Sequence, residues 1–204
     1  FQISIGTLQQ CRESETAHSD DFIVGDSPGD LLPHPYYQEL LQWNTADIAP
    51  RMDDIAQAIL SSDLHICADG AFRKTVGQAS HAWVFSTSEQ EIMWKGAGPS
   101  LGHSKLMTPY RAELTGLTSV LFILYWVCKH VHIEEGSITI YCDNETALYE
   151  TFKQERPTTN PYKTLVADAD LITLSQDLLL RLPIAVTLKH QWVKGHYQGK
   201  RQLS

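Results

Sequence analysis

His65-Ile66-Cys67-Ala68-Asp69-Gly70 decides the reading of this chain. Leu64, Ile66 and Ala68 would face one side of a strand and His65, Cys67 and Asp69 the other. Both sets are mostly apolar, which predicts a central strand covered on both faces and ending at the acid. Asp-Gly is also an ordinary turn, so the carboxylate gains meaning only from what lies downstream. Three later stretches answer it: Tyr110-Arg111-Ala112-Glu113-Leu114, Ile140-Tyr141-Cys142-Asp143-Asn144 and Gln191-Trp192-Val193-Lys194-Gly195-His196.

Working outward from residue 64, residues 78–86 and 91–95 read as two further strands around the turn Thr87-Ser88-Glu89-Gln90, an antiparallel meander. Residues 99–109 read as a loop, and the apolar positions Leu114, Leu117, Val120, Leu121, Leu124 and Val127 then trace a helical stripe. Glu113 lies four residues before Leu117 and seven before Val120, which places its carboxylate on the buried side of that helix. The helix dipole would account for an exposed acid in a first turn, but an inward one needs a partner. Residues 137–143 alternate as a strand that again ends in an acid, with Asn144 opening the next helix. A helix between two strands of one sheet makes a crossover, so the strands bearing Asp69 and Asp143 should run parallel with both acids at their carboxyl ends. Residues 163–182 supply another helix, and residues 185–193 a last strand that delivers Gly195 and His196 to the same edge.

Toward the amino end, residues 1–32 show no sustained periodicity apart from a strand-like 1–5, taken as the finish of a preceding domain. Residues 36–43 and 50–60 look helical, the second with Met52, Ile55 and Ile59 as its stripe. The expected division is an acidic leader over 1–62 with two short helices and a catalytic-size domain over 63–204. Net charge supports it: the chain carries −8, and residues 1–62 hold ten acids and two bases while the remainder balances fourteen against fourteen. The acidity therefore does not exclude a nucleic-acid partner for the second part, where Lys189, Lys194, Lys200 and Arg201 crowd the carboxyl end with His190 and His196. The four cysteines show no paired metal or redox spacing and three lie in apolar runs, as small buried hydrophobes do. An intracellular, reducing setting is expected, with no secretion and no membrane, since the apolar stretch 114–128 is interrupted and shorter than the ~18 residues of a span. Phe1 in place of Met suggests an excerpt from something longer.

Three carboxylates brought within ~4 Å would repel by about 4 kcal/mol per pair at an effective dielectric near 20, so they need a cation. Oxygen donors select the hard ions Mg²⁺ or Mn²⁺. Two such ions can activate a water and hold a scissile phosphate, which makes phosphodiester hydrolysis the expected reaction class.

Ala68-Asp69-Gly70, Arg111-Ala112-Glu113-Leu114, Cys142-Asp143-Asn144 and Trp192-Val193-Lys194-Gly195-His196, in this order and on these elements, resemble a ribonuclease H domain, in the flavour carried by retroelement reverse transcriptases. The resemblance spans residues 64–199. It implies a mixed five-stranded sheet, three antiparallel strands and then two parallel, flanked by helices, and cleavage of the RNA strand of RNA/DNA hybrids within a reverse transcriptase polyprotein. It further implies that Asp69 would touch both metals, Glu113 and Asp143 one each, and that His196, on a loop, would assist proton movement or product release. Gly70, Asn144 and Lys194 would lie where hybrid groove or phosphate contacts are made.

The family's fourth metal-binding aspartate sits on a carboxyl-terminal helix about a dozen residues beyond the loop histidine, a position past Ser204, so that helix is expected to be missing. Asp168 and Asp170 precede the last strand and are explained as favourable charges at a helix amino end. Pro109 and Tyr110 stand where many cellular members carry amide side chains that touch the hybrid, and residues 152–163 lack the basic, aromatic protrusion of some members. Trp83, Trp94, Trp126 and Trp192 are read as core or sheet-face residues. The rival enzymatic reading, an integrase or transposase core, would want a Glu about 35 residues after the second Asp, where this chain has Leu178 and Leu179. The rival from another class is a catalytically inert ribonuclease H-like module serving as a spacer or partner surface.

Overall fold

The computed structural model describes residues 2–3, 51–153, 167–183 and 185–195. Its elements in chain order are β1 (Gln2–Ile3), α1 (Met52–Leu60), β2 (Leu64–Arg73), β3 (Gln78–Ser86), β4 (Ile92–Pro99), α2 (Pro109–His130), β5 (Glu135–Cys142), α3 (Glu145–Phe152), α4 (Ala169–Arg181) and β6 (Ala185–Trp192). The expected helix over 36–43 and the first residues of the one over 163–182 lie outside the described residues.

The strands form one sheet in the order β1-β6-β5-β2-β3-β4. β2, β3 and β4 are antiparallel neighbours. β5 runs parallel to β2 on one side and to β6 on the other. The mixed five-stranded sheet read from the sequence, three antiparallel strands and then two parallel, is thus present with flanking helices. The strand-like 1–5 does not close a separate domain: β1 pairs antiparallel with β6, Gln2 opposite Lys189 and Ile3 opposite Leu188. β4 also continues past residue 95 to Pro99, because β3 offers it partners as far as Ser80.

α2 is the spine of the core. All of its residues from Arg111 to Cys128 are buried, including Thr115, Thr118 and Ser119. Those hydroxyls are accommodated because each donates to a carbonyl one turn back, at 2.8, 2.7 and 2.8 Å. Two of them also reach outward: Thr118 Oγ1 meets Ser175 Oγ of α4 at 2.8 Å, and Ser119 Oγ meets His81 Nε2 of β3 at 3.1 Å. α2 is long and apolar enough to cross a membrane by length and composition, yet 94% of its most apolar stretch is buried within the protein, as in a core helix.

The core face of the sheet carries Leu64, Ile66, Ala68, Trp83, Phe85, Ile138 and Ile140, all buried. Trp83 and Trp94 meet edge to face at 5.1 Å, and Trp126 joins them from α2, as expected of core tryptophans. The opposite face departs from expectation. Cys67, Asp69, Ala71 and Arg73 are exposed in strict alternation, so among the described residues β2 is covered on one face only. An apolar composition on both faces could not reveal this, since Cys and Ala are small enough to tolerate either environment.

α1 buries Ile55, Ala58 and Ile59 in the same hydrophobic cluster as α2 and the sheet. Replacing Ile59 by Ala is expected to cost about 2–5 kcal/mol in urea unfolding, the range for a buried aliphatic truncation. A change below about 0.5 kcal/mol, the surface value, would show that α1 is a mere linker.

Candidate active site

The acids converge where the parallel pairing stops. β2 and β5 pair from Leu64 opposite Ile138 to Cys67 opposite Tyr141. Asp69 and Asp143 each lie two residues beyond that last pair, side by side at the carboxyl edge. Asp143 follows the end of β5, whereas β2 does not stop at Asp69 as expected but continues to Arg73, held by β3 alone. Pairing between the two strands ends at this edge, where Glu113 of α2 stands with Asp143.

Its position depends on a close approach. An added Cβ at Gly70 would lie 2.5 Å from the backbone nitrogen of Glu113 and 2.6 Å from the carbonyl carbon of Ala112. Only glycine lets the first turn of α2 reach the sheet here. That turn is fixed by Thr108, whose side chain accepts from the Arg111 N–H at 2.9 Å, with Pro109 opening the helix.

Glu113 is 7% exposed. The Gly70 amide donates to it and also, at 2.9 Å, to Asp69 Oδ1, so one N–H lies between two carboxylates. The Cys142 thiol, buried at the end of β5, donates to Glu113 Oε2 at 3.5 Å. Burial first, then the charges of Asp143 and Asp69, push the Glu113 carboxyl up to about 7. Ligand atoms of Glu113, Cys142 and Asp143 lie within 4.8 Å of one another. Asp69 does not join that set: it is exposed, and its carboxylate turns back to its own neighbour's amide. Three carboxylates within ~4 Å of one another are therefore not what the structure holds; Glu113 and Asp143 are gathered, and Asp69 stands outside that set while its charge still reaches Glu113.

Gly70, Asn144 and Gly195 lie along the same edge. Asn144 caps α3, its Oδ1 accepting from Ala147 N–H at 3.0 Å, which leaves the amide nitrogen as its outward donor. Gly70 serves the helix contact just described. Lys194 is exposed. The backbone at Gly195 lies against the Asp143 side chain, which brings the loop after β6 to the site. His196, Lys200 and Arg201 lie outside the described residues. Trp192, the last residue of β6, is 50% exposed on the sheet, and its indole N–H donates to the Asp143 carbonyl at 2.8 Å.

Sequence reasoning missed two contributors. The sequence places Cys142 in a strand and in the Cys142-Asp143-Asn144 motif without giving it a role at the site; its signal is its place on the core face next to Asp143, one residue from the edge. Burial pushes its thiol up to about 12, so it sits as a neutral donor rather than a thiolate ligand. Arg111 was read only as part of a motif, and Asp168 and Asp170 only as helix-end charges. All three meet: Arg111 donates to Asp168 Oδ1 at 2.7 Å and to Asp170 Oδ2 at 2.6 Å.

No family model matches the chain, and no curated protein matches it. Among solved structures it is similar to a ribonuclease H1 from the halophilic archaeon Halobacterium salinarum, at 19% identity over 65% of this chain and 86% of that one, with a TM-score of 0.46. It is also similar to the N-terminal ribonuclease H domain of a Mycobacterium tuberculosis protein, at 16% identity over 65% and 84%, TM-score 0.40. A third is LC11-RNase H1 solved in complex with an RNA/DNA hybrid, at 13% identity over 65% and 86%, TM-score 0.42. Likenesses this distant carry no weight of their own beside the topology and the placement of the acids.

The raised Glu113 group gives a pH prediction for the metal-free protein. The folded state holds a proton on Glu113 up to about pH 7, the unfolded state only to the ordinary glutamate value of 4.5. Stability contributed by the neutral form is complete below 4.5 and is lost as pH rises through 7. Glu113→Gln should therefore raise stability by about 1–3 kcal/mol at pH 8, and by much less at pH 4.5, in denaturant titrations with chelator present. Equal gains at both pH values would mean that burial and the charges of Asp143 and Asp69 do not raise the Glu113 carboxyl in the folded protein.

Proposed function

We propose that the chain hydrolyses the RNA strand of RNA/DNA hybrids as a ribonuclease H domain of the retroelement type, inside the cell and as part of a reverse transcriptase polyprotein. The observation that carries the nuclease reading is the pairing of buried Glu113 with Asp143 at the carboxyl edge of two parallel strands, with Asp69 at the matching register position. The retroelement reading is supported by the spelling of the four motifs.

The donor set fits a hard divalent cation. Two carboxylates stand together, the charge of a third reaches them, and the adjacent thiol is neutral. Asp69, Glu113 and Asp143 would hold Mg²⁺ or Mn²⁺, and bound ions, two in this reading, would supply an activated water and neutralise charge on the phosphate. The chain's own residues do the rest. Burial of Glu113 leaves its carboxylate poorly solvated and ready to take a cation in place of a proton. Asn144 offers its amide nitrogen to a hydroxyl or phosphate oxygen, and Lys194, exposed on the segment that leads to Gly195, offers a positive charge to a phosphate. His196 follows Gly195 and is assigned the proton or product-release role.

One observation favours an inert module instead: the Asp69 carboxylate lies outside the tight set and is satisfied by Gly70. Cleavage of an end-labelled hybrid separates the two readings. The enzyme reading expects cutting that requires Mg²⁺ or Mn²⁺ and falls by on the order of a thousandfold in Asp143→Asn, the several kcal/mol assigned to metal catalysis. Hybrid that is bound but never cut would establish the inert module. Lys194→Ala should weaken hybrid binding several-fold and reduce the slope of log affinity against log salt by about 1; an unchanged slope would remove Lys194 from the interface.

A further inference from the structure

Arg111 is 3% exposed and stands two residues before Glu113 in the first turn of α2. Its guanidinium makes four hydrogen bonds. Nε donates to the Leu101 carbonyl at 2.6 Å, Nη1 to Asp168 Oδ1 at 2.7 Å and Asp170 Oδ1 at 3.0 Å, and Nη2 to Asp170 Oδ2 at 2.6 Å. The fork on Asp170 is bidentate, a geometry that lysine cannot reproduce.

The surroundings are bent to receive it. Asp168 caps α4 in the left-handed region, φ 63°, and makes no side-chain capping bond; its carboxylate goes to Arg111 instead. Gly102 holds φ +115°, and a Cβ there would lie 2.9 Å from Arg111 Nε. The Arg111 backbone is held as well, by Thr108 at its N–H and by Thr115 at its carbonyl. One side chain thus ties the first turn of α2 to the start of α4 and to the 101–102 turn.

Stability alone does not account for an aspartate held in the left-handed region and a glycine kept against the guanidinium, since buried ion pairs are often matched or bettered by apolar packing. What the network does fix is position. At Gly70 the same turn of α2 already touches the sheet with no slack, so any slide or tilt of α2 moves Glu113 relative to Asp143. We propose that Arg111, gripped by Asp168 and Asp170, is a positioning residue that sets where the Glu113 carboxylate stands at the strand edge, and through it the affinity of the site for a divalent ion. The inference rests on the carboxylates being metal ligands.

The test is Mn²⁺ binding, followed by loss of the free-ion electron paramagnetic resonance signal, in the wild-type chain and three variants confirmed as folded by circular dichroism. Arg111→Lys keeps the charge and loses the fork; Asp170→Asn removes one arm of the grip. Leu178→Ala opens a cavity in α4, where Leu178 is 4% exposed, without touching the network. Arg111→Lys and Asp170→Asn should each weaken Mn²⁺ binding about tenfold, the lower end for groups that orient metal ligands. Leu178→Ala should lower Tm while leaving the Mn²⁺ affinity within about twofold of wild type. Network variants that only lose Tm, or a Leu178→Ala variant that loses Mn²⁺ to the same degree, would overturn the positioning role and leave a structural one. A wild-type chain that takes up no Mn²⁺ would overturn the metal-ligand reading itself, and this inference with it.

Discussion

The close approach of α2 to β2 at Gly70 is the constraint on which the rest of the structure depends. Backbone meets backbone there, with no room for a side chain on the strand. The contact puts Glu113 within reach of the Gly70 amide and of the edge where β2 and β5 part. It also makes α2 the element that every other layer must fit. The hydroxyls of Thr118 and Ser119 tie it to α4 and β3, and Arg111 ties its first turn to the loops on either side.

The electrostatics follow from that placement. A carboxylate carried into a nearly dry position beside two others is costly to ionise, and the chain supplies no basic side chain to offset it among the described residues near it: Arg111 is committed to Asp168 and Asp170. What it supplies are two weak donors, an amide and a thiol. Such a site is left short of positive charge, and a divalent ion is the simplest way to provide it.

The order of strands was legible because period-two runs were separated by unambiguous turns and one long apolar helix, as in Ile138, Ile140 and Cys142 against Thr139, Tyr141 and Asp143. The edge location of the acids followed from the parallel crossover, a topological rule that needs no side-chain detail. Three features could not be read. β1 is two residues long, and its pairing with β6 depends on a partner more than 180 positions away. The open face of β2 looks the same in sequence as a covered one, because Cys67 and Ala71 carry no polarity to announce exposure. The Arg111 network joins an arginine to acids 57 and 59 residues on, and those acids already had a sufficient local explanation at a helix amino end.

Calorimetric titration of Mg²⁺ at neutral pH into the wild-type chain, Glu113→Gln and Asp143→Asn would show whether these two carboxylates form a cation site. Saturable binding by the wild type that is lost or greatly weakened in both variants is the expected result. Binding that persists unchanged in both, or is absent from the wild type, would contradict it.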